Sequence, residues 1–319
     1  MARHVSVFPR VPMMAVVVTV LCLFAAAACG SNGDEASDAR DPGADRATDE
    51  RSDLGGDADG ADELSDGSDA LPDPGVDTDS VTTCPGPVPT SLGLDPFYSQ
   101  YCDVSGIPLV AHAGVDPSAM QIAAAATIEM LAHRPDVVEA LADGPIRVGI
   151  IGRDQRTTEM PEWSDLYEAF PDTDWDTRAR GLGATIDRPW VGAGEEDLLC
   201  LGTDPYLGES IFIHELSHTI DEFGLRVVDP MFADRLFTAF DDAIAAGLWA
   251  GTYAASSPEE YWAEGVQSYF DTNLADDFQH NHVDTRAELA DHDPVLHDLV
   301  AESFGPTEWR LTCPDGSPA

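Results

Sequence analysis

Lysine is absent from this chain: all 16 basic side chains are arginine, set against 59 aspartates and glutamates in 319 residues. The net charge of −43 argues against nucleic acid and anionic membrane surfaces as partners, because both would repel such a protein. Large apolar side chains are nearly missing between Gly30 and Thr83, where Asp, Gly, Ala and Ser dominate. Such a segment cannot bury enough surface to offset the entropy of ordering, so a disordered acidic linker is expected over 29–83. It also lacks the side chains needed to plug a cleft as an inhibitory propeptide. Its Asp-Gly pairs do not follow the EF-hand spacing, so calcium is not expected there. No two cysteines sit at zinc-finger spacing, which argues against a cysteine-held structural zinc. No internal repeat is visible.

The longest apolar run, Met13–Ala28, has 16 residues, short of the roughly 20 needed to span a bilayer. Arg3, His4 and Arg10 precede it, and Cys29-Gly30-Ser31 follow, which is the layout of a cleaved export signal over 1–28. The small residues before Cys29 resemble a bacterial lipobox, with Ala26 where Leu is usual. Lipidation of Cys29 would tether the protein to the outer face of a membrane through its N-terminus, with the acidic segment as spacer. The alternative is cleavage after Ala28 and release as a secreted protein. Cys84, Cys102, Cys200 and Cys313 remain, an even number in an exported chain, and two disulfides are expected with the pairing left open.

Composition changes at Cys84, and residues 84–319 form one expected folded unit. Asp116-Pro117 opens a helix through His133 that Pro135 ends; a second spans Val137 to Ala142. Ile146 to Ile151 has strand character, and a short strand is expected at Leu198 to Leu201. Helices are expected over Glu209 to Phe223, stopped by Gly224, and over 230–246, 258–272 and 294–304. The fold class is α+β, mainly helical with a small sheet, and a monomer is expected.

The chemistry centres on His214-Glu215-Leu216-Ser217-His218. Positions i and i+4 share a helix face, so two imidazoles so placed can bind one zinc ion. The flanking Glu215 carboxylate can accept a proton from water activated there. Ile211, Phe212, Ile213 and Ile220 make the helix apolar, and a buried helix does not keep two histidines and a glutamate without a reason. A third histidine six positions beyond His218 is excluded, since position 224 is Gly. The remaining source of a third ligand is Ser257-Pro258-Glu259-Glu260-Tyr261-Trp262-Ala263-Glu264, with Glu260 and Glu264 one helical turn apart. Either could ligate while the other orients a histidine. Ser257 and Glu260 also fit a capping box, which would leave the other acids merely solvated.

His-Glu-Leu-Ser-His-Thr-Ile-Asp, with Glu-Tyr-Trp-Ala-Glu beginning 42 positions after its second His, resembles the catalytic domain of anthrax lethal factor and the related Pro-Pro endopeptidases, single-zinc gluzincin peptidases. The resemblance covers residues 209–270. It implies a zincin-like domain in which Glu260 is the third ligand, Glu264 supports the site, Tyr253 assists catalysis and Asp221 stands behind the ligands. It implies no substrate preference, because residues 84–208 share no motif with those proteins. The expectation is therefore an exported zinc metalloendopeptidase holding one Zn2+ and acting on a peptide or protein. Two rivals stand beside it: a surface lipoprotein with a structural zinc, and a zinc hydrolase acting on another amide.

Other polar residues carry smaller expectations. Asp176, Arg178, Arg180 and the Gly181-Leu182-Gly183 turn precede the metal helix and could edge a substrate cleft, but the favoured expectation is that Arg178 and Arg180 pair locally with nearby aspartates. Glu195, Glu196 and Asp197 look like a solvated face. His112 and His133 look structural or exposed. His280, His282, His292 and His297 fall in a polar tail region where no second metal is expected.

Overall fold

The computed structural model describes residues 84–319. The expected signal segment, Cys29 and the acidic linker lie outside them. Within them the fold is α+β: a five-stranded mixed sheet joined to a larger helical part. No helix of the described residues is long and apolar enough to cross a membrane.

The sheet runs in the order β1-β2-β3-β5-β4, with β1 Gln100–Val104, β2 Ile107–Ala111, β3 Arg147–Ile151, β4 Gly181–Leu182 and β5 Trp190–Gly194. β2, β3 and β5 are parallel, while β1 and β4 close the edges antiparallel. The parallel centre is buried on both faces, as it must be when crossovers cover it. Two glycines permit this. A Cβ on Gly149 would stand 2.2 Å from the Trp190 indole, and one on Gly192 would stand 1.9 Å from the Gly149 carbonyl oxygen. The bare backbone at both positions lets Trp190 lie across the sheet, fully buried.

Helix starts follow the expected chemistry. Asp116 caps α1, Pro117–Leu131, by accepting from the Ser118 amide, with Pro at the first turn. α2, Pro135–Asp143, also opens on proline. The strand expected at Leu198 to Leu201 is instead the end of a one-turn helix, Glu195–Leu198, followed by a turn, because the Glu195 carbonyl already accepts from the Leu199 amide. The helix expected from Glu209 starts later, as α3 Ile211–Ile220. It runs into one π-helical turn, Asp221–Leu225, rather than stopping before Gly224.

α4, Phe232–Ala246, ends on Gly247 in the left-handed conformation. α5, Pro258–Tyr269, is capped by Ser257 and is buried without a break from Glu260 to Tyr269. α6, Arg286–His292, begins with a Thr285/Glu288 capping box in a segment where no helix was expected. α7 is Pro294–Phe304, as expected. A helix buried all round forms the centre of a core, and α5 does so here. Trp262 packs edge-on to Phe232 and stacks on Phe304, and its indole donates to the Ser217 carbonyl at 3.0 Å. That bond ties α5 to α3 beside the His214 turn.

The disulfides are Cys84–Cys102 and Cys200–Cys313. The second joins the turn after β5 to the C-terminal segment across 113 positions, so it closes the larger loop and removes more freedom from the unfolded chain.

Candidate metal centre

Two helices build the site. α3 is fixed at its start by Ser210, whose hydroxyl accepts from the Ile213 amide, and by the Asp197 carboxylate, which accepts from Ile211 at 2.9 Å and Phe212 at 3.0 Å. These bonds satisfy amides that have no partner inside the helix. Burial and the nearby Asp204 charge push Asp197 up to about 8, against the pull of those two amides.

The i, i+4 spacing then brings His214 and His218 together, with their Nε2 atoms 3.1 Å apart. Glu260, in the first turn of α5, places Oε2 3.1 Å from His214 Nε2 and 3.4 Å from His218 Nε2. Bonds of about 2.0–2.1 Å at tetrahedral angles put ligand atoms about 3.3 Å apart. The three donors are therefore spaced much as three corners of such a tetrahedron would be. Among the described residues no other group of three metal-ligating side chains lies so close together. Two nitrogens and one carboxylate oxygen suit zinc and its first-row neighbours better than calcium or magnesium, which take all-oxygen shells.

The charge balance points the same way. Burial would lower His214, but the Glu260 carboxylate, then Glu215 and Glu264, push it up to about 10. Burial would raise Glu260, yet His218 and His214 hold it well below the usual carboxylate range. A buried group of this composition could hold a divalent ion, which would displace the imidazole proton.

The tautomer of His214 is set from behind. The Gln267 amide nitrogen faces the Ser210 carbonyl at 3.2 Å and the Glu209 carboxylate at 3.5 Å, so its oxygen must face His214. His214 Nδ1–H donates to that oxygen at 2.8 Å and leaves Nε2 free to ligate. Gln267 was not foreseen, although it follows Glu260 and Glu264 at i+7 and i+3 on the same face of α5. Glu264, expected to hold a histidine, is 3.8 Å from His214 Nδ1 and receives the Asn273 amide at 3.2 Å.

Glu215 is half-buried and leans on the sheet edge. A Cβ on Gly181 would stand 2.2 Å from Ile211, and one on Gly183 3.3 Å from Glu215 Oε2, so the β4 backbone runs against α3 with no side chain between. Burial raises the Glu215 carboxyl, opposed by His214 and His218. The Tyr253 ring lies roughly parallel to His214 with centroids 6.3 Å apart. Asp221 is buried and binds Arg226 at 2.8 and 2.5 Å rather than standing alone behind the ligands.

Three other expectations change. Glu195, Glu196 and Asp197 are buried, not solvated. Glu195 binds Arg153 at 2.6 Å, and Glu196 receives Arg180 at 2.5 and 2.9 Å. Arg180 thus pairs sixteen residues away, while Asp176 binds Thr158 and the Arg178 guanidinium lies over the Trp175 ring. His280 is no tail residue: its side chain is only 5% exposed and faces Glu264 and Glu209. His112 accepts from the Gly114 amide and His292 meets the Leu248 carbonyl across 44 positions, while His133 is exposed. A cavity of about 590 Å³ opens at the carboxyl ends of β2, β3 and β5, lined by His112, Arg153, Gln155 and Glu195 among others. None of its lining residues belongs to the metal group.

No protein-family model matches the chain, and no curated protein matches its sequence. The functional reading therefore rests on the site itself.

Proposed function

We propose that the protein is an exported zinc metalloendopeptidase of gluzincin type, with His214, His218 and Glu260 as ligands and Glu215 as general base. The observation that carries this reading is the three-donor geometry with a glutamate on the adjoining helical flank. A purely structural zinc would be closed by a fourth protein ligand and would need no base. The two disulfides among the described residues favour an oxidising compartment and hence export. Tethering through a lipid on Cys29 is part of the same proposal.

Bound zinc would supply Lewis acidity, polarising a peptide carbonyl and lowering the pKa of water toward about 7. Glu215 takes a proton from the attacking water as the carbon–oxygen bond forms. It then returns that proton to the nitrogen as the carbon–nitrogen bond breaks. The Tyr253 hydroxyl donates to the oxyanion that develops between these steps. β4 is an edge strand beside Glu215, and its backbone offers an extended substrate a partner on the site's rim.

The test is cleavage of a mixed peptide library by the zinc-loaded full chain and by Glu215→Gln. Glu215→Gln should bind zinc and lose about 10²- to 10⁴-fold in turnover. Equal cleavage by both proteins, or none by either, would overturn the assignment.

A further inference from the structure

The turn at 277–280 reaches the site from two sides. On one side the Gln279 carbonyl accepts the Tyr253 backbone N–H at 2.7 Å. On the other, the His280 imidazole enters the polar layer behind His214, with Nε2 3.5 Å from Glu264 Oε2 and 3.8 Å from Glu209 Oε2. Glu209 in turn receives the Gln267 amide that orients His214. Asp277 holds the turn in shape: one of its oxygens accepts from the Gln279 amide at 2.6 Å, the His280 amide at 2.8 Å and His280 Nδ1 at 3.0 Å. Both ring nitrogens of His280 thus face carboxylates, the arrangement of an imidazolium clamped between acids.

We propose that His280 is a positioning residue: by anchoring the 277–280 turn to Glu264 and Glu209 behind the metal ligands, it fixes through the Gln279 carbonyl where Tyr253 stands in front of them. Of the three residues of the one-turn segment Tyr253–Ala255 only Ala254 is buried. The turn therefore links the layer that orients His214 to the residue assigned to the oxyanion. Burial would lower His280, but Glu264, then Glu209 and Asp277, push it up to about 9, so the anchor is charged at neutral pH.

The kinetic part of the test rests on the peptidase reading; the exchange part does not. Amide hydrogen exchange at Tyr253 is measured in the full chain with and without zinc, for wild type, His280→Ala and Asp277→Ala. Asp277 is partly exposed, so its replacement keeps the test open should His280→Ala fail to fold. Protection at Tyr253 should fall in both variants, while amides of β3 keep theirs. Unchanged protection at Tyr253 would overturn the proposal.

In the zinc-loaded enzyme, kcat of His280→Ala should fall by about 10- to 100-fold. In a Tyr253→Phe background the same change should cost no more than about twofold, because the residue it positions has already lost its hydroxyl. Additive losses would mean that His280 acts elsewhere. Loss of activity on Glu215→Gln is a separate result, so failure of the peptidase reading and failure of this inference are distinguishable.

Discussion

Two buried groups of acids face α3, and they are built on opposite principles. Glu195, Glu196 and Asp197 lie at its start, and Glu260 and Glu264 lie beside its middle. The first group is held by the protein itself: Arg153 binds Glu195, Arg180 binds Glu196, and the amides of Ile211 and Phe212 donate to Asp197. Arginine is always charged and its fork matches a carboxylate, so these pairs are fixtures of the fold. The second group meets histidines, which are neutral when deprotonated and offer a lone pair. Its charge is balanced only by protons or by a metal ion. The contrast separates acids that hold a helix in place from acids placed where, on the proposed function, a metal ion would sit, although both groups are Glu-rich and both are buried.

The sharpest way to break this contrast is to remove a cation from the first group. Arg180→Met leaves Glu196 buried and unpaired, and should destabilise the protein by about 3–5 kcal/mol in denaturant unfolding. Zinc affinity of the folded fraction should not change. If affinity fell while stability held, the acidic run would belong to the site.

A smaller effect lies in pH. His280 is raised, so the stability it contributes is complete below the ordinary histidine pKa of about 6.5 and is lost as pH rises through about 9. Arginine partners do not titrate in that window. At constant free zinc, unfolding free energy should therefore decline between these pH values in wild type more steeply than in His280→Gln. Equal slopes would show that His280 is not clamped between Glu264, Glu209 and Asp277.

Much of the helical half was readable. Asp116-Pro117, Ser257-Pro258 and Asp293-Pro294 mark helix starts through cap and proline chemistry, and each begins where expected. His214 and His218 were readable from their i, i+4 spacing, whereas spacing left Glu260 and Glu264 open and the family resemblance singled out Glu260, the acid that lies with the two histidines. The sheet was harder. Trp190-Val191-Gly192-Ala193-Gly194 has none of the alternation of a half-exposed strand, since both faces are covered and its glycines serve a neighbouring indole. The burial of Glu195 to Asp197 depends on Arg153 and Arg180 arriving from other segments, which local composition cannot encode. The same holds for His280: its partners Glu209 and Glu264 are far away in the chain, and only the folded loop brings it to them. Gln267 could have been found by extending the acidic face of α5 one more turn.

The most direct measurement is metal content and zinc affinity by chelator competition for wild type and Glu260→Ala, purified alike. The account predicts one zinc per wild-type chain and a loss in the variant beyond the about 100-fold that an outer-shell change can cause. A wild-type protein that takes up no zinc, or a Glu260→Ala protein that binds it as tightly, would contradict it.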